Sequence, residues 1–156
     1  MAFRNVATLL AEGISLDAVT GRLTAFNMLE SVLAPSFPAV LGKLVVVNVY
    51  EVDGAGEPRW ERVTVTDDAG AQLAQAVTEF RGEGMAHRSM SMLQGMRLAK
   101  PGVYTVLVEG AARREGPWEH VNKRLLHALI GGHPLVRPDE KNPDAGKVTG
   151  QSIITH

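Results

Sequence analysis

The segment Lys43–Val52, Lys-Leu-Val-Val-Val-Asn-Val-Tyr-Glu-Val, narrows what this chain can fold into more than any other. Its β-branched density favours an extended strand. Successive side chains of a strand point to opposite faces, and here both faces are apolar. Such a strand needs cover front and back. The stretch Arg22–Val32 carries the same signature, with Phe26 and Met28 on one face and Leu23, Ala25 and Leu29 on the other. Two-faced strands in a chain of 156 residues ask for more cover than one small sheet pair easily provides, and this motivates the expectation of a partner.

Turn chemistry divides the rest into further strands. Asp17-Ala18-Val19-Thr20-Gly21 joins Val6–Ser15 to the Arg22 stretch as a hairpin, with Asp and Gly suited to the reversal. Ala34-Pro35-Ser36-Phe37-Pro38 has to leave a sheet, because its prolines donate no ladder hydrogen bonds; it reads as a crossing between sheets, with trans the commoner state of the Phe37–Pro38 bond. Trp60–Thr66 alternates, Val63 and Val65 on one face and Arg62, Thr64 and Thr66 on the other. Asp67-Asp68-Ala69-Gly70 fits a type I turn. In Ala71–Phe80 the spacing of Leu73, Ala76, Val77 and Phe80 fits a helix, yet the preceding turn and the short length favour a returning strand. Met90, Met92, Met96 and Leu98 alternate against Ser89, Ser91 and Arg97, which reads as a half-buried strand whose methionines fill the core.

Pro101-Gly102-Val103-Tyr104 opens the next strand with the local pattern of a tyrosine corner, in which Pro101 and Gly102 set the turn and the Tyr104 hydroxyl bonds back to main chain upstream. Beyond it, Trp118, Val121, Leu125, Leu126 and Leu129 lie close to a helical stripe between Pro117 and Gly131, so an amphipathic helix is the first reading and a final strand the second. Residues 133–156 are polar and carry Pro134, Pro138 and Pro143, as an extended arm would. The expected architecture is mainly β: an antiparallel Greek-key or Ig-like β-sandwich of about seven strands over residues 1–116, a helix or last strand over 117–132 packed on it, and a C-terminal arm over 133–156.

Three stretches carry a resemblance. They are the hairpin with Glu12-Gly13 and Gly21-Arg22-Leu23, the Ala34–Pro38 segment before Lys43-Leu44-Val45-Val46, and the Asp68-Ala69-Gly70 turn with the later Leu98…Pro101-Gly102-x-Tyr104 lead-in. On these the chain resembles an uncharacterised bacterial β-sandwich family of the domain-of-unknown-function kind, over about residues 6–110. The resemblance implies a final strand rather than a helix, and no activity comes with it.

Charge and motifs exclude several kinds of chemistry. Lys plus Arg number 16 against 17 Asp plus Glu, a net charge of −1, so no long-range positive field gathers phosphates. The absence of cysteine removes thiolate metal sites and Cys nucleophiles. Gly54-Ala55-Gly56 and Gly82-Glu83-Gly84 lack the third glycine and the helix of a phosphate loop. His87, His120, His127, His133 and His156 are scattered; in the helical reading His120 and His127 stand two turns apart, roughly 10 Å, too far for one ion. No metal and no cofactor is expected. Asp67 and Asp68 are accounted for by their turn, and Arg113-Arg114 with Lys123-Arg124 by a solvated rim interspersed with Glu109, Glu115 and Glu119.

The function this supports is a non-enzymatic module acting through protein–protein contact and self-association. A homo-oligomer is expected, dimer favoured, with no nucleic acid and no membrane, in the cytoplasm; Trp118 and Leu125 are the candidate interface residues. A carbohydrate or small-ligand site on Trp60 and Trp118 is the alternative, since indoles stack on sugar rings. Hydrolysis assisted by His87 or His120 stands third.

Overall fold

The computed structural model describes residues 3–52, 56–81 and 87–131, and these are all β, with no helix among them. Strands β1 (Phe3–Leu16), β2 (Leu23–Met28), β4 (Ala39–Val52) and β7 (His87–Leu98) form one sheet in the order β2-β1-β4-β7. Strands β3 (Ser31–Ala34), β5 (Pro58–Thr66), β6 (Gln72–Arg81), β8 (Gly102–Ala111) and β9 (Glu119–Ile130) form the other, ordered β3-β9-β8-β5-β6. One core serves both sheets: Leu10, Leu44, Val46, Leu93 and Leu98 from the first meet Val63, Val65, Tyr104, Val106, Val108 and Leu126 from the second.

Local chemistry places the reversals. The Asp17 carboxylate accepts the Val19 and Thr20 amides at 2.8 and 2.7 Å, which fixes the β1–β2 turn. Asp67 does the same for Ala69 and Ala71 at 2.9 and 2.8 Å between β5 and β6. The Tyr104 hydroxyl donates to the Lys100 carbonyl at 2.8 Å, tying the start of β8 to the chain before it. The segment after Ala34 does cross between sheets, from β3 to β4, and its Phe37–Pro38 bond is cis, as is Gly116–Pro117.

Four sequence expectations are corrected. The helix over 117–132 does not form: β9 pairs with β8 from Gly102↔Ala128 to Gly110↔Glu119. A ladder of backbone hydrogen bonds along an open strand edge outweighs a stripe spacing that fits either period. The chain is not wholly antiparallel, because β3 runs parallel to β9. Nine strands among the described residues replace about seven; the Arg22–Val32 stretch is divided at Leu29–Glu30, where the chain leaves one sheet for the other, and β9 is added. Finally, the methionines do not share a face. Met96 is buried, whereas Met90 and Met92 are 40% and 48% exposed and Ser89 and Ser91 point inward. Between these two halves of β7 lies Gly95 at φ 64, a left-handed conformation that interrupts simple alternation. The proposed arm, 133–156, lies outside the described residues.

The two-faced β4 finds its second cover within the chain. Val45 and Val47 point away from the shared core yet are 1% and 0% exposed. They are flanked in register by Ala11 and Leu9 of β1 and by Met92 and Met90 of β7. Above them passes the β1–β2 hairpin: the Arg88 guanidinium of β7 donates to the Gly21 carbonyl at 2.7 Å, although β1 and β4 separate β2 from β7 in the sheet. The hairpin has to arch across the outer face to make that bond.

Candidate functional site

Glu61 is the centre of the most unusual chemistry in the molecule. It shares the inward face of β5 with Val63 and Val65, and it is 0% exposed. Four neutral donors converge on its carboxylate. Tyr50 Oη and Asn48 Nδ2, both on β4, donate to Oε2 at 2.6 and 3.0 Å. Ser89 and Ser91 of β7 donate to Oε1 at 3.1 and 3.0 Å. Thr78 of β6 stands 3.1 Å from the Ser91 hydroxyl, so with Ser91 committed to Glu61 the Thr78 hydroxyl is the donor there.

The network continues across the interior to β1 and β9. Asn48 Oδ1 accepts from Thr8 Oγ1 at 2.5 Å and from Asn5 Nδ2 at 3.4 Å. Asn122 of β9 donates to Asn5 Oδ1 at 2.8 Å and to Thr8 Oγ1 at 2.9 Å. Six strands from both sheets are thus joined by directional bonds, and no buried side-chain N or O among the described residues lacks a partner. Burial pushes the Glu61 carboxyl above its usual range, while its four donors act in the opposite direction. Tyr50 is pushed up as well, by burial and by the neighbouring carboxylate. Its ring stacks on Phe80 at 4.9 Å, and Phe80 stacks on His87 at 5.3 Å. Burial and Arg88 lower the His87 imidazole. With two donors on each oxygen, the Glu61 carboxylate is satisfied from within the fold.

The sequence signal for this cluster was present but unused. Glu61 falls in step with Val63 and Val65, and Asn48 and Tyr50 fall in step with Leu44 and Val46, so each is a polar group on a core face. The residues singled out from sequence are elsewhere. Trp60 and Trp118 are half-buried on the outer side of the second sheet. Arg62 lies 4.5 Å over the Trp118 ring and pairs with Glu109 at 2.7 Å, and Arg114 lies 5.5 Å from the Trp60 ring centre. Pro101 is exposed, Gly102 begins β8 and Tyr104 is buried.

Leu125 sits on a different part of that outer side. Leu33, Leu129, Val103 and Leu125 are 59%, 47%, 39% and 48% exposed on the paired strands β3, β9 and β8. His127 lies among them, paired with Ser31 and with Val103. His120 pairs with Glu109 instead. On a strand, seven residues separate His120 from His127 by roughly 23 Å, more than double the helical estimate. No group of three or more His, Asp or Glu converges among the described residues. No helix there is long and apolar enough to cross a membrane.

None of the curated proteins matches the chain. Among solved structures, it is similar to the Pseudomonas fluorescens alkylpurine DNA glycosylase AlkC bound to DNA containing an abasic site analog, at 10% identity and a TM-score of 0.49. The alignment covers 83% of this chain but 31% of that one, so this chain spans less than a third of its length. The partner expectation, a homo-oligomer with a dimer favoured and no nucleic acid, is corrected. The apolar outer face of β4 that motivated a second copy carries the chain's own hairpin. A family model described as a family of unknown function (DUF6941) matches residues 6–111, more than half of the sequence, and the chain belongs to that family.

Proposed function

We propose that this chain is a non-enzymatic β-sandwich of Greek-key type that works through contact with another protein, using the outer surface of β3, β9 and β8. The observation that carries the reading is the row of Leu33, Leu129, Leu125 and Val103, side by side on paired strands and each well exposed. Apolar side chains that adjoin on a rigid sheet form the kind of patch that marks an interaction surface, unlike single exposed residues. The sandwich reading is supported by the single core to which both sheets contribute. A cytoplasmic setting belongs to the same proposal, in keeping with a chain without cysteine.

A carbohydrate platform on Trp60 and Trp118 is the weaker reading, because a guanidinium already lies over each ring. The test is a photo-reactive phenylalanine analogue at Leu125, with the same group at exposed Gln94 on the other sheet as the control. Cross-linking inside the native host should yield a discrete protein adduct from position 125 and none from position 94. Adducts from both positions alike, none from 125, or nucleic acid as the captured species would overturn the proposal.

A further inference from the structure

Arg88 occupies an unusual position for a surface arginine. It pairs in register with Val49 and so points to the outer side of the first sheet, under the arching hairpin. One guanidinium nitrogen donates to the Gly21 carbonyl. No Asp or Glu among the described residues forms an ion pair with it, as with Arg22, Arg97, Arg113, Arg114 and Arg124, but Arg88 alone of these lies beneath the hairpin and donates to its carbonyl. A guanidinium carries five donors in a fixed fork, and a single neutral acceptor leaves most of that fork and the whole charge unmatched.

The surroundings of this charge are apolar. Between the hairpin and β7 runs a groove of about 270 Å³ lined by Leu16, Leu23, His87, Arg88 and Met90. Leu16 and Met90 are 54% and 40% exposed, which leaves their side chains available to a ligand. His87 is held in place by its stack on Phe80, which in turn stacks on Tyr50. The floor nearby is firm, since Val47, in register with Met90, is buried. Among the described residues, no acidic side chain lines the groove.

We propose that this groove is a binding site for a small amphipathic carboxylate, its acid group on Arg88 and its apolar body against Leu16, Leu23 and Met90. The single fork of one arginine matches the two oxygens and one charge of a carboxylate. The groove is short, with five lining residues, which suits a short chain or a single ring. The bond to Gly21 fixes the guanidinium before the ligand arrives, so little freedom is lost on binding. The site lies on the first sheet and the Leu125 face on the second, so either reading can fail without the other.

The probe is octanoate, followed through the methyl resonances of Met90, Leu16 and Leu23, with acetate and 1-octanol as the head-only and tail-only controls. Octanoate should shift all three residues saturably and more tightly than either control. Arg88→Gln should weaken octanoate about tenfold and leave 1-octanol unchanged, while Arg88→Lys should restore part of the loss. If Arg88→Gln loosens the hairpin, Met90→Glu decides instead: a carboxylate placed beside the guanidinium should exclude octanoate in a folded protein. The absence of a saturable shift, equal binding of octanoate and 1-octanol, or octanoate affinity unchanged in Met90→Glu would each overturn the proposal.

Discussion

The two ends of the interior are built on different principles. Toward the β5–β6 turn, Val65, Tyr104, Val106, Leu98, Leu41 and Leu126 pack with little directional constraint. Toward the other end, Glu61, Asn48, Tyr50, Ser89 and Ser91 are buried as deeply but are joined by hydrogen bonds of fixed geometry. Apolar packing is non-directional and tolerates repacking of similar volume. A network in which each donor has one acceptor tolerates much less, because any slip leaves a buried group unpaired. The contrast suggests a division of labour, with one end supplying the bulk of the cohesion and the other specifying how the two sheets align.

That comparison can be broken by experiment. The largest effect is expected from Glu61→Leu, which keeps the volume but removes the acceptor of four donors. At roughly 1–3 kcal/mol for each stranded group, less what rotating hydroxyls recover, the loss is about 4 kcal/mol in a urea titration. A loss under about 1 kcal/mol would mean the polar end has no special role. Leu126→Ala, in the apolar end, should cost about 3 kcal/mol through its cavity, and Leu126→Met much less. Tyr104→Phe removes the bond to the Lys100 carbonyl and the long one from the Lys100 amide, and should cost about 1 kcal/mol.

The gentlest effect is a slope with pH. The folded state holds the Glu61 carboxyl above its ordinary value of 4.5, so the folded protein retains a proton that the unfolded chain has already released. Stability associated with this group is therefore fully present below that value and declines as pH rises toward the raised folded value. Glu61→Gln should flatten the decline, since the amide oxygen still accepts while its NH₂ meets hydroxyls free to rotate. Chemical denaturation of both proteins across pH 4 to 8, a window of about four units around the ordinary carboxylate range, reads the difference. Parallel curves would show that folding leaves the Glu61 carboxyl at its ordinary value.

Much of the scaffold was legible in the chain. The β-branched run of β4, the alternation of β5, the Asp67 turn and the Pro35–Pro38 crossing all follow from local chemistry that tertiary packing did not contradict. The misreadings arose where two periods fit one segment. Leu125, Leu126 and Leu129 suit a helical stripe, but Leu126 and Ala128 are the pair buried against the core, a spacing of two that only pairing with β8 selects. Met90 and Met92 looked like continuations of Met96 because alternation was carried straight through Gly95, where the backbone turns. The Glu61 cluster was harder to foresee, since its donors come from strands far apart in sequence and a lone core-face carboxylate does not reveal its partners.

The sequence by itself determined that this chain is built of strands, where most of them turn, and that β4 needs cover on both faces. These are consequences of side-chain shape, backbone freedom and alternation, all of which act over a few residues. Only the tertiary structure decided what provides the cover: an arching hairpin of the same chain, whose path brings Gly21 to Arg88, 67 residues apart. It likewise decided that the one carboxylate on a core face among the described residues would be enclosed by four donors. Such meetings depend on which strands lie opposite one another, and that is set by the summed packing of both sheets rather than by any local pattern.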